Sequence, residues 1–273
     1  MNDKKAVFLD IDGTLITFNG EFPESAKEAL RKARENGHYM LLCTGRAKVQ
    51  ILNWFPLDLI DGIISCAGAC VTIGDVPVYE KVMDAEHVQK LIDYCKENGL
   101  TYFLQTEKRL VTEQWAKDAM AAAFRKLGKT EEEVTALVGR LDAVDDPAAV
   151  PGVEKGLFYN CRKPFPQICE ELGDYYNITD SSFKVTRFCD AEITCRGIDK
   201  AVGMQKALDY LGVSHENSIA FGDGPNDFEM IEYAGTGIAM GNAIPGLKEK
   251  ADRVCGNVDN DGLYNEFKEL GLI

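Results

Sequence analysis

An apolar strand runs directly into two closely spaced aspartates near the start of the chain. In the stretch VFLDIDGTLITFNG, residues 7–20, the run VFL is typical of a buried strand, and Asp10 and Asp12 come next. If the strand continues through Asp12, both carboxylates lie on one face, roughly 7 Å apart at about 3.3 Å per residue. At an effective dielectric constant of about 20, two ionised carboxylates at that distance repel by about 2.4 kcal/mol. The pair therefore predicts a bound cation or a protonated carboxyl group.

Two further polar segments follow predicted strands. Thr44, Gly45 and Arg46 come after the apolar run YMLLC, and GDGPND, residues 222–227, comes after SIAF. In an open parallel sheet, ligands bind beyond the carboxyl ends of the strands. We therefore expect these segments and the two aspartates to form one site.

The residue types in these segments suit phosphoryl transfer with a magnesium ion. Asp10, Asp223 and the backbone carbonyl of Asp12 would supply the hard oxygen ligands that Mg²⁺ prefers, beside waters and a substrate phosphate. Such an ion neutralises charge on a phosphoryl group and orients it for in-line attack. Asp10 is then the expected nucleophile, which forms an aspartyl-phosphate. Asp12 is the expected acid and base, which protonates the leaving oxygen and later activates water.

Three other residues are expected to meet the phosphate, and two of them, Thr44 and Lys200, complete the predicted catalytic set. Gly13 lets the backbone approach the phosphate closely, and Thr44 can donate a hydrogen bond to it. Lys200 begins a predicted helix and can supply the positive charge that transition-state oxygens require. Together these residues predict the hydrolysis of a phosphate monoester.

The motifs, in their order along the chain, resemble those of the haloacid dehalogenase (HAD) superfamily of phosphatases. They are DIDGT at 10–14, TGR at 44–46, Lys200 and GDGPND at 222–227. The region inserted between the second and third motifs resembles the large α+β (C2B-type) cap of the Cof-type branch. The resemblance implies a Mg²⁺-dependent enzyme in which Thr44 and Lys200 contact phosphate, Asp227 holds the metal shell, and Asn226 lies near the phosphate. The implied metal-binding set is Asp10, Asp12, Asp223 and Asp227.

The candidate substrate contacts form a second set. They are Gly13, Gly45, Arg46, Asn226 and Arg187. Arg187 is the cation of the inserted region that lies nearest to the point where the chain returns to the core. The other cations of that region are expected to be scattered surface charges.

Two positions depart from the family pattern. Relatives usually carry Asn-Gly after the third strand, whereas this chain has Ala67 and Gly68, which puts a polar contact there in doubt. Ala201 stands where a glycine commonly follows the motif lysine, and this difference matters less.

The elements around these motifs predict an α/β core interrupted by an insertion. Strands at 4–10, 39–44 and 61–69 alternate with helices, one over 26–33 and one after Gly45, which indicates a parallel sheet. A hairpin over 71–81 follows. The pattern then changes to helices and antiparallel strands, including FKVTRF and AEITCR, before the first pattern returns. The predicted domains are a Rossmann-like core over 1–82 and 191–273 and an α+β cap over 83–190.

Charge and cysteine content limit the partners and the compartment. The net charge of −14 argues against nucleic acid and anionic membranes, because binding either requires a basic surface. Nine cysteines, an odd number that lies mostly in apolar runs, predict reduced buried thiols in a cytoplasmic protein. The expected ligand is a small phosphate ester, with a sugar phosphate as the favoured class.

Several alternatives remain open from the sequence. Asp10 and Asp12 could be a turn pair, Thr44 a helix cap, and Lys200 a solvated helix residue. The same aspartyl-phosphate chemistry would also serve a phosphomutase or phosphotransferase. A non-enzymatic phospho-acceptor is the alternative from another class, although the second aspartate and the insertion favour turnover.

Overall fold

The computed structural model describes residues 4–181 and 189–273, and it divides into two compact units. The first unit contains the chain up to Arg46, Gln50–Glu80 and Asp199–Ile273. The second contains Ala47–Val49 and Lys81–Ile198. The domain limits expected at 83 and 190 stay a prediction.

The described residues form fourteen strands and nine α-helices. The strands are β1 Ala6–Leu9, β2 Tyr39–Cys43, β3 Gly62–Ser65, β4 Cys70–Ile73, β5 Val76–Glu80, β6 Thr101–Thr106, β7 Leu110–Thr112, β8 Leu141–Ala143, β9 Val153–Cys161, β10 Tyr176–Asp180, β11 Cys189–Cys195, β12 Ser218–Gly222, β13 Thr236–Ala239 and β14 Arg253–Val254. The helices are α1 Glu24–Glu35, α2 Ala85–Glu97, α3 Gln114–Lys126, α4 Glu131–Val138, α5 Phe165–Leu172, α6 Lys200–Leu211, α7 Phe228–Tyr233, α8 Pro245–Lys250 and α9 Gly262–Glu269.

The described part of the first unit contains one eight-stranded sheet with the order β14-β13-β12-β1-β2-β3-β4-β5. The strands from β14 to β3 are parallel, and β4 and β5 form an antiparallel hairpin at one edge. Ala6 in β1 pairs with Ser218 on one side and Tyr39 on the other. Every residue of β1 is buried, as expected of a central parallel strand with both faces covered. Asp10 is therefore carried on the middle strand of the sheet.

Helix α1 illustrates how the spacing of apolar residues predicts the helices around the sheet. Its buried residues are Ala26, Ala29, Leu30 and Ala33, which recur at helical spacing. Gly37 follows the helix with a φ of +90°, a conformation that glycine adopts without steric cost. The predicted α/β class, a Rossmann-like parallel-sheet core with an inserted α+β region, is confirmed.

The described part of the second unit contains a six-stranded sheet with the order β10-β11-β9-β6-β7-β8. Its neighbours are antiparallel except β7 and β8, which are parallel. Leu91 and Ile92 of α2 share a buried apolar cluster with Tyr102, Phe158 and Ile193 of the sheet. The predicted strand FKVTRF, residues 183–188, and the candidate contact Arg187 lie outside the described residues.

Two local predictions were wrong. The helix expected after Gly45 is only a 3₁₀ turn, Lys48–Gln50, although Ala47, Ile51 and Phe55 are buried at a spacing of four residues. Pro56 limits any helix here, because the residue before a proline is disfavoured in the helical conformation. Strand β1 ends at Leu9 rather than continuing through Asp12, which instead forms an isolated bridge with Ile16. Within the described ranges, each helix is too short or too polar to span a bilayer.

Candidate active site

Three aspartates converge at the carboxyl ends of the central strands. Asp10 follows β1, Asp223 follows β12, and Asp227 ends the 3₁₀ turn Pro225–Asp227. One carboxylate oxygen from each of the three lies within 4.8 Å of the others. All three side chains are buried, so their charges interact through little solvent.

Lys200 joins two of these aspartates. Its ammonium donates hydrogen bonds to Oδ1 of Asp10 at 2.6 Å and to Oδ1 of Asp227 at 2.5 Å. The lysine is 1 % exposed and is the first residue of α6, which Asp199 caps by accepting a hydrogen bond from the Val202 amide. Because the helix begins at Lys200, its side chain reaches the ends of β1 and β12.

The charges of this cluster do not balance by themselves. Three carboxylates face one ammonium, and the pKa of Asp10 is raised to about 7, mainly by burial, which Lys200 opposes and the charges of Asp227 and Asp12 reinforce. Burial also raises the pKa of Asp223 to about 8, with added repulsion from Asp10 and Asp227. Lys200 has its pKa held well above the usual value by Asp10 and Asp227, against the opposing effect of burial.

The donor set fits a divalent hard cation. Asp10, Asp223 and Asp227 offer carboxylate oxygens close together, and two negative charges remain after pairing with Lys200. The Asp12 carboxylate points elsewhere, to Arg46, so only its backbone carbonyl stays a predicted metal ligand.

Asp227 also fixes the backbone of the loop that carries Asp223. Its Oδ2 accepts hydrogen bonds from the amides of Asp223 and Gly224, both at 2.9 Å. A Cβ at Gly222 would lie 2.6 Å from the Cβ of Asp227, so the strand end must be glycine for this approach. The side chain of Asn226 is buried on the same turn.

Gly13 brings the loop after β1 against Asp223. A Cβ at Gly13 would lie 2.2 Å from Oδ2 of Asp223, and its φ of +87° also favours glycine. Thr14 donates a hydrogen bond from Oγ1 to Oδ1 of Asp223 at 3.2 Å, and Asn242 donates one to the Gly13 carbonyl at 2.7 Å. Sequence reasoning missed Thr14 and Asn242 as site residues. Asn242 follows β13, so the rule that polar residues after parallel strands gather at one edge could have found it.

Asp12 lies at the solvent side of this cluster. Its carboxylate accepts two hydrogen bonds from Arg46, one from Nε at 2.8 Å and one from Nη2 at 2.6 Å. The side chain of Asp12 is 52 % exposed. The first two aspartates therefore occupy different environments, and only Asp10 is buried.

A strained turn lies between the TGR segment and Asp199, the residue that caps α6. Residues 66–68 (Cys66, Ala67 and Gly68) all have positive φ, at 50°, 54° and 101°, and for Cys66 and Ala67 this costs about 1–2 kcal/mol each. The amides of Cys66 and Ala67 donate to the carbonyls of Arg46 and Thr44, which holds the TGR segment. On the other side, a Cβ at Gly68 would lie 1.8 Å from the Asp199 carbonyl oxygen.

The departure from the family pattern at Ala67 therefore affects the backbone conformation of this turn. Asparagine tolerates the left-handed region better than alanine, so the residue usual in relatives suits this conformation and alanine adopts it under strain. The Thr44 hydroxyl accepts a hydrogen bond from the Arg46 amide at 3.2 Å, and a hydroxyl that accepts can also donate its own proton. Gly45 lies between them.

Magnesium should stabilise the protein more at alkaline than at acidic pH. Because Asp10 and Asp223 have raised pKa values when folded, the folded chain keeps protons between about pH 4 and pH 8 that the unfolded chain releases. Raising the pH through this range therefore destabilises the metal-free protein. A cation that replaces those protons stabilises the folded state most at the upper end of the range. We expect the rise in Tm on adding Mg²⁺ to be larger at pH 8.5 than at pH 5.5, by about 2–4 °C or more.

Differential scanning fluorimetry with Mg²⁺ or with EDTA measures this difference. Asp223→Asn is the control, since it removes one of the two titrating carboxylates and should reduce the Mg²⁺ response at pH 8.5. An equal Mg²⁺ response at both pH values in the unsubstituted protein would contradict the predicted site.

Comparison with known proteins identifies the family. A family model described as haloacid dehalogenase-like hydrolase matches residues 7–267. Two phosphatases of Bacillus subtilis (strain 168) align over most of both chains. 5-amino-6-(5-phospho-D-ribitylamino)uracil phosphatase YitU is 29 % identical over 96 % of each chain. Phosphatase YwpJ is 25 % identical over 97 % of this chain and 99 % of its own.

A solved structure agrees with this assignment. The HAD subclass IIB sugar phosphatase BT4131 superposes with a TM-score of 0.81 and 26 % identity, over 99 % of this chain and all of its own. The family expected from the four motifs is thus confirmed.

Proposed function

The chain belongs to the haloacid dehalogenase-like hydrolases, and from this premise we propose that it is a Mg²⁺-dependent phosphomonoesterase acting on a small sugar or polyol phosphate. The observation that carries the proposal is the buried Asp10 carboxylate, held by Lys200 within 4.8 Å of two further carboxylate ligands. A nucleophile, a fixed positive charge and a set of hard oxygen ligands in one place are the parts that phosphoryl transfer needs.

Asp10 is the proposed nucleophile. Its carboxylate attacks phosphorus, the bond from phosphorus to the ester oxygen breaks, and the electron pair leaves on that oxygen. Burial alone would favour the protonated, unreactive carboxyl, and the Lys200 ammonium favours the ionised one. A Mg²⁺ ion held by Asp10, Asp223 and the Asp12 carbonyl, with Asp227 supporting the shell, would neutralise phosphoryl charge and orient the group.

Asp12 is the proposed acid and base. It would give a proton to the leaving oxygen and then take one from the water that hydrolyses the aspartyl-phosphate. Both of its oxygens accept hydrogen bonds from Arg46, so at least one of these bonds must open for a proton to move. Thr44, whose hydroxyl accepts from the Arg46 amide, would donate its proton to a phosphoryl oxygen.

The relatives support a polyhydroxylated substrate. YitU is named for a phosphorylated ribityl compound and BT4131 for sugar phosphates, and both phosphates lie on hydroxylated carbon chains. We therefore infer a primary or secondary alkyl phosphate of this kind. Its alkoxide is a poor leaving group, so the ester oxygen needs a proton as it departs.

The test is phosphate release across a panel of sugar phosphates, polyol phosphates, nucleotides and 4-nitrophenyl phosphate. We expect Mg²⁺-dependent release that EDTA stops, with sugar or polyol phosphates giving the highest kcat/KM. Turnover only in the presence of a sugar bisphosphate, with the phosphoryl group appearing on a sugar and not as free phosphate, would point instead to a phosphomutase. No release from any ester by the folded, Mg²⁺-loaded protein would refute the proposed function.

A further inference from the structure

A tryptophan in the first unit contacts the arginine that holds Asp12. The guanidinium carbon of Arg46 lies 5.4 Å from the centre of the Trp54 ring, within the range of a cation–π interaction. The same guanidinium donates two hydrogen bonds to Asp12. Trp54, Arg46 and Asp12 thus form a continuous chain of contacts from an aromatic ring to the acid and base residue.

The Trp54 ring is itself fixed in place. Its Nε1 donates a hydrogen bond to the Gln50 carbonyl at 2.7 Å, and its ring meets that of Phe55 edge to face at 5.6 Å. Phe55 is buried and packs on Phe22 at 5.3 Å. The indole is anchored at one edge while 39 % of the residue stays exposed.

The carboxylate of Asp12 needs such a support. It is half exposed, and Arg46 is a long side chain that loses rotamer freedom when it is held in one geometry. A neighbouring indole limits the positions that the guanidinium can occupy, and a cation–π contact is worth about 0.5–2 kcal/mol. Because about 1.36 kcal/mol of activation free energy corresponds to a tenfold change in rate, losing such an interaction changes a rate by about 2-fold to 30-fold.

We propose that Trp54 is a positioning residue which, through one retained Arg46 hydrogen bond, holds the Asp12 carboxyl group, protonated on its other oxygen, where it meets the leaving-group oxygen. The proposal rests on the phosphatase function proposed above and adds a residue outside the four family motifs. Trp54 touches neither the three buried aspartates nor Lys200 among the contacts of the described chain, so it reaches the site through Arg46.

Protonation by Asp12 leaves a distinct signature in the choice of substrate. An alkyl phosphate expels a strongly basic alkoxide and depends on protonation by Asp12. 4-Nitrophenyl phosphate expels a stable phenolate and does not. Since kcat/KM covers only the steps up to departure of the leaving group, it separates this proton transfer from later hydrolysis of the aspartyl-phosphate.

The experiment compares kcat/KM of Trp54→Leu for the best sugar phosphate of the panel and for 4-nitrophenyl phosphate. We expect a loss of about tenfold with the sugar phosphate and at most about twofold with the aryl phosphate. Trp54→Phe, which keeps an aromatic face, should recover most of the loss. Trp115→Leu is the matched control, because Trp115 is 40 % exposed and its Nε1 also donates a hydrogen bond, to Glu113 in the second unit.

A double-mutant cycle with Asp12→Asn completes the test. If Trp54 acts through Asp12, Trp54→Leu should have little further effect on the sugar phosphate once Asp12 is replaced by asparagine. Equal losses for both substrates, or an undiminished loss in the Asp12→Asn background, would overturn the proposal. Because the unsubstituted protein is measured alongside, its failure to hydrolyse either ester would instead refute the phosphatase function.

Discussion

Replacing Asp10 with asparagine should reduce phosphate release by about four orders of magnitude or more. The amide cannot form the acyl-phosphate, and the loss of a nucleophile removes nearly all of the rate that the site supplies. The fold should survive, because the substitution removes a buried charge from a cluster of three carboxylates and one ammonium. The measurement is the initial rate with 4-nitrophenyl phosphate and saturating Mg²⁺, with thermal unfolding recorded beside it.

Asp61→Asn is the matched control for this change. Asp61 belongs to the same unit, precedes β3 at the opposite edge of the sheet, and accepts hydrogen bonds from Arg34 and from the Met40 amide. We expect its substitution to leave the rate within about twofold, since the asparagine can still accept from the amide. If the folded Asp10→Asn protein kept a tenth of the activity, Asp10 would not be the nucleophile.

Replacing Lys200 with methionine should lower kcat by about a thousandfold. The change removes the ammonium that pairs with Asp10 and Asp227 and the positive charge expected to stabilise the transition state. It also removes the group that opposes the burial-driven rise in the pKa of Asp10. The residual activity should therefore need a higher pH, with the acidic limb of the kcat/KM profile displaced upward.

Lys155→Met separates this effect from the general cost of losing a buried lysine. Lys155 is as buried as Lys200 and forms an ion pair with Glu192 in the second unit. Breaking either buried pair should destabilise the fold by about 3–5 kcal/mol. Lys155→Met should still turn over 4-nitrophenyl phosphate within about tenfold of the unsubstituted rate. Comparable losses in the two variants, with no displacement of the pH profile, would remove Lys200 from the mechanism.

The sequence was most informative where a short apolar run meets a polar residue. Runs such as VFL and SIAF identify buried parallel strands, and the geometry of such sheets gathers their following residues, which is how Asp10 and Asp223 could be placed together. Lys200 was predicted from the order of the motifs, and the structure brings its side chain to both Asp10 and Asp227.

The remaining features depend on contacts that no local pattern encodes. Asp12 would share a face with Asp10 if β1 continued through it. The strand ends at Leu9 instead, and the Asp12 carboxylate pairs with Arg46. Ala47, Ile51 and Phe55 recur on the buried side of the segment that contains Trp54, but this spacing does not predict that the indole lies beside Arg46. The strain at residues 66–68 likewise follows from packing against Asp199, which is distant in sequence.

The position of β1 between β2 and β12 bears on how the protein is made. Thr14 and Asp223, which hydrogen-bond across this junction, are 209 residues apart. At about 5–20 residues per second, roughly 10–40 s pass between the synthesis of Thr14 and that of Asp223. During that interval the buried edge of β1 has no neighbour on the β12 side, and an unpaired apolar edge invites aggregation.

The second unit does not share this delay, because Lys81–Ile198 supplies its whole described sheet from one continuous run. Pulse proteolysis of ribosome-bound chains stalled near residue 240, with about the last 30 residues still inside the ribosome, should find this run protected while β1 to β3 are cleaved. Protection of both regions at that length would contradict this order. Until β12 emerges, the strand that leads to Asp10 keeps an unpaired edge, and this is the interval in which chaperones or rapid synthesis would limit aggregation most.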